Sequence, residues 1–297
     1  MEDSRKYLDP KILGKVSKLD LKARLIVEGF ISGLHESPFH GFSVEFAQHR
    51  EYVPGDDIRH IDWKVWARSN RYYIKQYVEE TNLRAYLMVD ASESMAFQTS
   101  TISKMDYACY MAASLAYLML QQQDSVGLVL FDEHVRKFIR DSSHPSHLKL
   151  IHNELENAVP SGDTQMEHIF HDLAERLHRK GLLILISDLL TDPESLMFGL
   201  QHARHKRHEI ILFHILDPAE RTFPYEDLTR FEGMENYPDV FGEPQSLRQT
   251  YLEELDSFVS RVRKGCHENR IDYIPLTTTD PLDVVLSSYL ANRLART

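Results

Sequence analysis

Glycine and proline are scarce in this 297-residue chain, at 12 each, below the usual ~7% and ~5% of soluble proteins. That scarcity argues against a turn-rich all-β protein. Only two cysteines are present, Cys109 and Cys266, far apart and each in a segment that reads as helix. They are expected to be buried free thiols, which suits a reducing compartment better than a disulfide scaffold. No apolar run approaches the ~20 residues needed to cross a bilayer. The longest, Ala108 to Leu120, contains Ser114 and ends in three glutamines. The first 25 residues carry Lys6, Lys11, Lys15, Lys18, Lys22 and Arg24 with no apolar core between them, so no signal peptide is expected. The expectation is a cytoplasmic protein. Positive charge is also in deficit, 34 Lys and Arg against 45 Asp and Glu, for a net charge of −11. Such a balance disfavours a general nucleic-acid or anionic-membrane binder.

The charge is unevenly placed. Residues 1–80 hold 13 basic and 13 acidic residues, so 81–297 carry the whole −11. A break near residue 80 follows, with an N-terminal segment 1–80 and a main domain 81–297. With 42% apolar and 27% charged residues, the chain is a folded rather than a disordered one.

From residue 83 the pattern alternates. Leu83 to Val89 reads as a buried strand ending at Asp90, Val126 to Phe131 as a second, and Gly181 to Ile186 as the strongest, ending at Ser187-Asp188. Glu209 to Leu216 and Ile271 to Pro275 read as further strands, and Val135 to Ile139 as a short edge strand. Helices are expected over Met105 to Gln123, Ser146 to Ala158, Gln165 to Arg179, after Pro193, and over Leu247 to Asn269 and Leu282 to Ala295. Strands separated by helices predict an α/β fold, a doubly wound, mostly parallel sheet of Rossmann type. Segment 217–246 breaks the rhythm, and Thr229–Phe231 with Asp239–Phe241 reads as a small surface hairpin. In 1–80, helices are expected over Pro10 to Leu19 and Leu21 to Leu34, extended chain over His40 to Tyr52, a short helix Trp63 to Ser69 capped by Asp62, and a strand Tyr72 to Val78.

Ligands of open parallel sheets bind at the carboxyl ends of the strands. Three polar features fall there: Asp90-Ala91-Ser92-Glu93-Ser94, the loop Gly162-Asp163-Thr164, and Ser187-Asp188. Two carboxylates and three hydroxyls (Asp90, Ser92, Ser94, Thr164, Asp188) are hard oxygen donors that suit Mg²⁺ or Mn²⁺ better than Zn²⁺. Only two carboxylates would leave a divalent cation under-neutralised and attractive to an outside Asp or Glu. Gly55-Asp56-Asp57 with Asp62 reads as a turn whose carboxylates pair with Arg50, Arg59 or Arg68. Trp63 and Trp66, three apart, read as an anchor packing their segment on the main domain. His202, His205 and His208 have a spacing that could suggest zinc, but His208 opens a strand and Arg204, Lys206 and Arg207 are basic, so a solvated helix end is the better reading.

The Asp-x-Ser-x-Ser at 90–94, followed by Thr164 and Asp188 after the expected elements, resembles the metal-ion-dependent adhesion site of von Willebrand factor A domains. That resemblance implies Ser92, Ser94 and Thr164 as metal ligands, with Asp90 and Asp188 acting directly or through water. Phe42 to Phe46, Arg50 to Arg59, Ile61 to Lys64 and Ala67-Arg68 resemble the signature of the bacterial domain-of-unknown-function 58 family. Its members resemble companions of MoxR-type AAA+ ATPases, which implies a MoxR-type ATPase partner and a chaperone-like role in maturing or remodelling other proteins. The expected function is non-enzymatic, metal-dependent protein binding, with a partner carboxylate completing the metal site. A metal-independent scaffold acting through the N-terminal signature is the alternative. A phosphohydrolase using Asp90 is less favoured, because Ser92 stands where a second acid or a phosphate-holding lysine is needed and no lysine is expected near any of the three loops.

Overall fold

A computed structural model describes residues 19, 23, 27, 46–52, 62–69, 71–77, 83–177, 179–235 and 237–286. The chain divides into two compact units, 1–35 with 83–297, and 36–82. The expected segment 1–80 is thus shared between them. Leu19, Ala23 and Val27, four apart, are helical and buried, and the Leu19 amide donates to Glu156 Oε1 at 3.0 Å.

The smaller unit contains β1 (Phe46–Glu51), α1 (Trp63–Ser69) and β2 (Tyr73–Tyr77). The two strands pair antiparallel. Asp62 caps α1 by accepting the Val65 amide at 3.3 Å, as expected of an Asp before a helix. Trp63 is 57% exposed, and Trp66 stacks on Tyr72 of its own unit, with ring centroids 6.0 Å apart. Asp56 and Asp57 lie outside the described residues.

The larger unit runs β3 (Arg84–Asp90), α2 (Lys104–Gln121), β4 (Ser125–Phe131), β5 (Val135–Ser142), α3 (His147–Glu156), α4 (Met166–Arg176), β6 (Leu182–Ser187), α5 (Pro193–His205), β7 (Glu209–Leu216), α6 (Pro218–Thr222), β8 (Thr229–Phe231), β9 (Val240–Gly242), α7 (Pro244–Glu268) and β10 (Asp272–Thr277). The sheet order is β10-β7-β6-β3-β4-β5, all parallel except the edge strand β5. The fold is α/β, doubly wound and mostly parallel, as expected, with one antiparallel edge strand.

Alternation along β3 assigns the two faces. Tyr86 and Met88 join a core with Phe170 and Leu173 of α4, Leu196 and Leu200 of α5, and Val262 and Cys266 of α7. Ala85, Leu87 and Val89, equally buried, turn to the other face, where α2 supplies its apolar surface. Helix α2 is buried nearly all round and starts at a capping box, Ser103 Oγ accepting the Asp106 amide at 3.0 Å. Both cysteines are buried free thiols. The expected hairpin forms as β8 and β9. A short helix α6 precedes it, specified by cap Asp217, Pro218 at its first position and Glu220 at its third. Residues 287–297, the rest of the expected last helix, lie outside the described residues. Among the described residues no helix is long and apolar enough to cross a membrane.

Candidate functional site

The chain reverses its winding direction between β3 and β6, which places a crevice at their carboxyl ends. Asp90 ends β3, and Ser187 ends β6. The two ends are joined by a hydrogen bond, Ser187 Oγ donating to Asp90 Oδ2 at 2.5 Å. Asp90 Oδ1 accepts the Ser92 amide at 3.0 Å. This bond folds the chain back so that Ser92 and Ser94 converge, with their hydroxyls 3.1 Å apart. A 3-10 turn, Glu93–Ala96, fixes the second serine.

The loop before α4 is tied to the same turn. Ser161 N donates to Ala91 O and Glu93 N to Gly162 O, both at 2.9 Å. Gly162 has φ +75°, a left-handed conformation that a side chain would strain. Arg136 braces the loops from β5, donating to Ala91 O at 3.4 Å and Val159 O at 2.7 Å. Thr164, 8% exposed, follows in this loop, and its Oγ1 is buried without a hydrogen-bond partner. The third loop holds Asp188, whose Oδ1 accepts the Leu190 amide at 3.1 Å. Asp90, Ser92, Ser94, Thr164 and Asp188 are all buried, on three loops that meet through Asp90–Ser187 and the bonds at Ala91 and Glu93.

Several participants escaped the sequence. Lys104, on the first turn of α2, sends its Nζ to Asp188 Oδ2 and Glu220 Oε1, 2.6 Å from each. The expectation that no lysine comes near these loops is therefore corrected. Lys104 lies shortly after the serine turn, but its partner Asp188 is 84 residues away, and the sheet order brings the two together. The available signal was a lysine opening a largely apolar helix. Glu235 also reaches the site, its Oε1 accepting the Ser94 amide at 3.4 Å. Its own amide donates to Glu93 Oε2 at 3.0 Å. Asp192 caps α5 by accepting Ser195 N at 2.8 Å. His208 is buried, its Nδ1 accepting Gly181 N at 3.2 Å, which corrects the reading of a solvated helix end.

The electrostatics follow from burial. Asp90 is pushed up to about 7 by desolvation and by the nearby Asp188 charge, against the hydrogen bonds from Ser187 and Ser92. Desolvation pushes Asp188 up as well, but the Lys104 ammonium outweighs it and holds the carboxyl below its ordinary value. Lys104 stays charged, because its two carboxylates overcome the cost of burial. His214, level with Ser187 on the next strand, is driven down to about 4, chiefly by burial. Among the described residues no three His, Cys, Asp or Glu side chains form a metal cluster, so any cation here must draw on the hydroxyls. The donor set fits that demand: two serine oxygens converge, and a third buried hydroxyl lacks a partner.

A family model described as "Protein of unknown function DUF58" matches residues 48–256. Uncharacterized proteins of Mycobacterium bovis and Mycobacterium tuberculosis are each 29% identical over 265 residues, covering 87% of this chain and 83% of their own length. Among solved structures, BatB from Bacteroides thetaiotaomicron has a TM-score of 0.49 at 13% identity, covering 72% of this chain and 100% of that one. The SpRpn10 VWA domain has a TM-score of 0.40 at 8% identity, covering 69% and 94%.

Proposed function

The chain belongs to the family described as protein of unknown function DUF58, and on that premise we propose that its strand-end site is a metal-dependent protein-interaction site rather than a catalytic one. Ser92, Ser94 and Thr164 hold Mg²⁺ or Mn²⁺, with Asp90 and Asp188 contributing directly or through water. The bound cation supplies a Lewis-acid face for a carboxylate of a partner protein. The observation that carries this reading is Thr164 Oγ1, buried and unpartnered on the loop that is tied to the serine turn. An unsatisfied buried hydroxyl costs about 1–3 kcal/mol, and a hard cation would satisfy it.

The chemistry of phosphoryl transfer is poorly served. Ser92 takes the place of a second acid, and Lys104 is 2% exposed and committed to two carboxylates. It is in no position to receive a phosphate. The partner class, a MoxR-type AAA+ ATPase served in a chaperone-like way, comes from the resemblance of the N-terminal signature. The test is binding of the purified MoxR-type ATPase of the same host. Capture is expected in Mg²⁺ and lost both in EDTA and in the Ser92→Ala/Ser94→Ala variant. Undiminished capture by that variant in EDTA contradicts the metal bridge.

A second reading, docking through the smaller unit, is favoured by the exposed Trp63, Trp66 and Tyr72. On that reading, Trp63→Ala with Trp66→Ala abolishes capture while EDTA leaves it unchanged.

A further inference from the structure

Segment 223–242 is built inside out. Leu228, Tyr237, Val240 and Phe241 are exposed, Tyr237 and Phe241 by 68% and 69%, while the charged Glu235 among them is only 7% exposed. Residues of these types normally take the opposite places.

The segment holds this arrangement firmly. At its base the Phe223 ring stacks on Phe231 with centroids 5.6 Å apart, and it meets Tyr251 of α7 at 4.8 Å. Nearer the tip, Arg230 pairs with Asp239 at 2.6 Å, and Gly233 N donates to the same carboxylate at 3.0 Å. Glu235 itself has φ +54°, a left-handed backbone that costs a non-glycine residue about 1–2 kcal/mol.

What Glu235 gains in return is the strand-end site. Its carboxylate accepts the Ser94 amide at 3.4 Å, which sets it at the turn where the Ser92 and Ser94 hydroxyls converge. Those two hydroxyls are the pair proposed above as metal ligands. The local charge then fails to balance. Asp188 and Glu220 already share the Lys104 ammonium at 2.6 Å each, and Glu235 adds a further buried carboxylate at the serine turn. Burial of like charges without compensation is costly, and a divalent cation among them removes most of the excess.

We propose that Glu235 is an in-chain ligand that fills the open coordination position of this site, so that a partner's carboxylate binds only by displacing it. The inference rests on the metal-site reading above and adds a resident competitor to it. Segment 223–242 thereby sets the threshold for binding. Only a partner whose carboxylate is presented with further contacts, such as to the exposed rings at Tyr237 and Phe241, outcompetes a ligand already held in place.

The test uses Mn²⁺ alone and acetate as the carboxylate probe, on the full chain, with calorimetry and water-proton relaxation. Wild-type protein is expected to bind Mn²⁺ with low relaxivity that acetate leaves unchanged. Glu235→Gln and Glu235→Ala are expected to bind Mn²⁺ roughly tenfold more weakly, since ligand charge sets affinity. Their relaxivity should be higher, because water enters the vacated position, and acetate should reduce it. Hydrogen exchange of residues 229–242 in the wild type, expected to slow when Mn²⁺ is added, gives a readout that needs no variant. Equal affinity and relaxivity in wild type and variants, or exchange indifferent to Mn²⁺, overturns the role of Glu235 while leaving the metal site standing. No Mn²⁺ binding by the wild type overturns both.

Discussion

Lys104 Nζ lies 2.6 Å from Asp188 Oδ2, and both side chains are 2% exposed. This buried pair joins α2 to the end of β6, and Glu220 of α6 closes it from the other side at 2.6 Å. Removing one partner of such a pair leaves uncompensated charge, which costs far more than the pair contributes against an apolar substitute. Lys104→Met is therefore expected to lose about 3–5 kcal/mol in urea denaturation at pH 7. Part of that loss should return at low pH, where Asp188 and Glu220 protonate. A loss below about 1 kcal/mol would mean that the pair is solvated, contrary to its burial.

Thr164→Val separates structure from binding. The substitution keeps the shape and removes a buried hydroxyl that has no partner. In EDTA the variant should be as stable as the wild type or more stable by about 1 kcal/mol, because the desolvation cost disappears. In saturating Mn²⁺ the order should reverse, the wild type gaining more stability through its tighter binding. Equal shifts on adding Mn²⁺ would remove Thr164 from the ligand set.

Two groups near the site pull stability in opposite directions with pH. His214, held down to about 4 by burial, remains neutral while its unfolded counterpart takes up a proton below about 6.5. Its contribution is present above that pH and is lost as pH falls towards 4. Asp90, held up to about 7 by burial and by Asp188, keeps its proton while the unfolded carboxyl loses one. Its contribution is present below about 4 and is lost as pH rises to 7. In EDTA the two slopes nearly cancel in the wild type. His214→Gln should leave stability falling with pH between 4.5 and 6.5, and Asp90→Asn should leave it rising, each by about 1.4 kcal/mol per pH unit. Parallel profiles for the two variants would contradict both assignments.

Much of this organisation was legible in the sequence, for identifiable reasons. The strands of the larger unit are short apolar runs that end at polar residues, so their positions and the residues at their carboxyl ends could be read together. Asp90 and Asp188 are the residues that end or follow such runs. Helix ends were less legible. Helix α7 starts at Pro244 rather than Leu247, because proline suits the first helical position. Side chains that reach the site from a distance left little local trace. Glu235 sits in a stretch without periodicity and meets Ser94 across 141 residues. Lys104 carried a signal, a cation opening an apolar helix, but its partner lies 84 residues away, and pairing at that range is a property of the sheet order. His208 stands at the entry to β7 as expected, but its basic neighbours suggested solvent, whereas it is buried and accepts the Gly181 amide beside β6.

The proposed cation site rests on the two serine hydroxyls of the Asp90–Ser94 turn. The most direct measurement is calorimetric titration of Mg²⁺ into the metal-free wild type and into Ser92→Ala/Ser94→Ala, alongside thermal melts of both in EDTA. Saturable binding at a single site in the wild type, lost in a variant whose melt in EDTA is unchanged, is the predicted result. Binding of equal strength in both proteins, or none in the wild type, would contradict it.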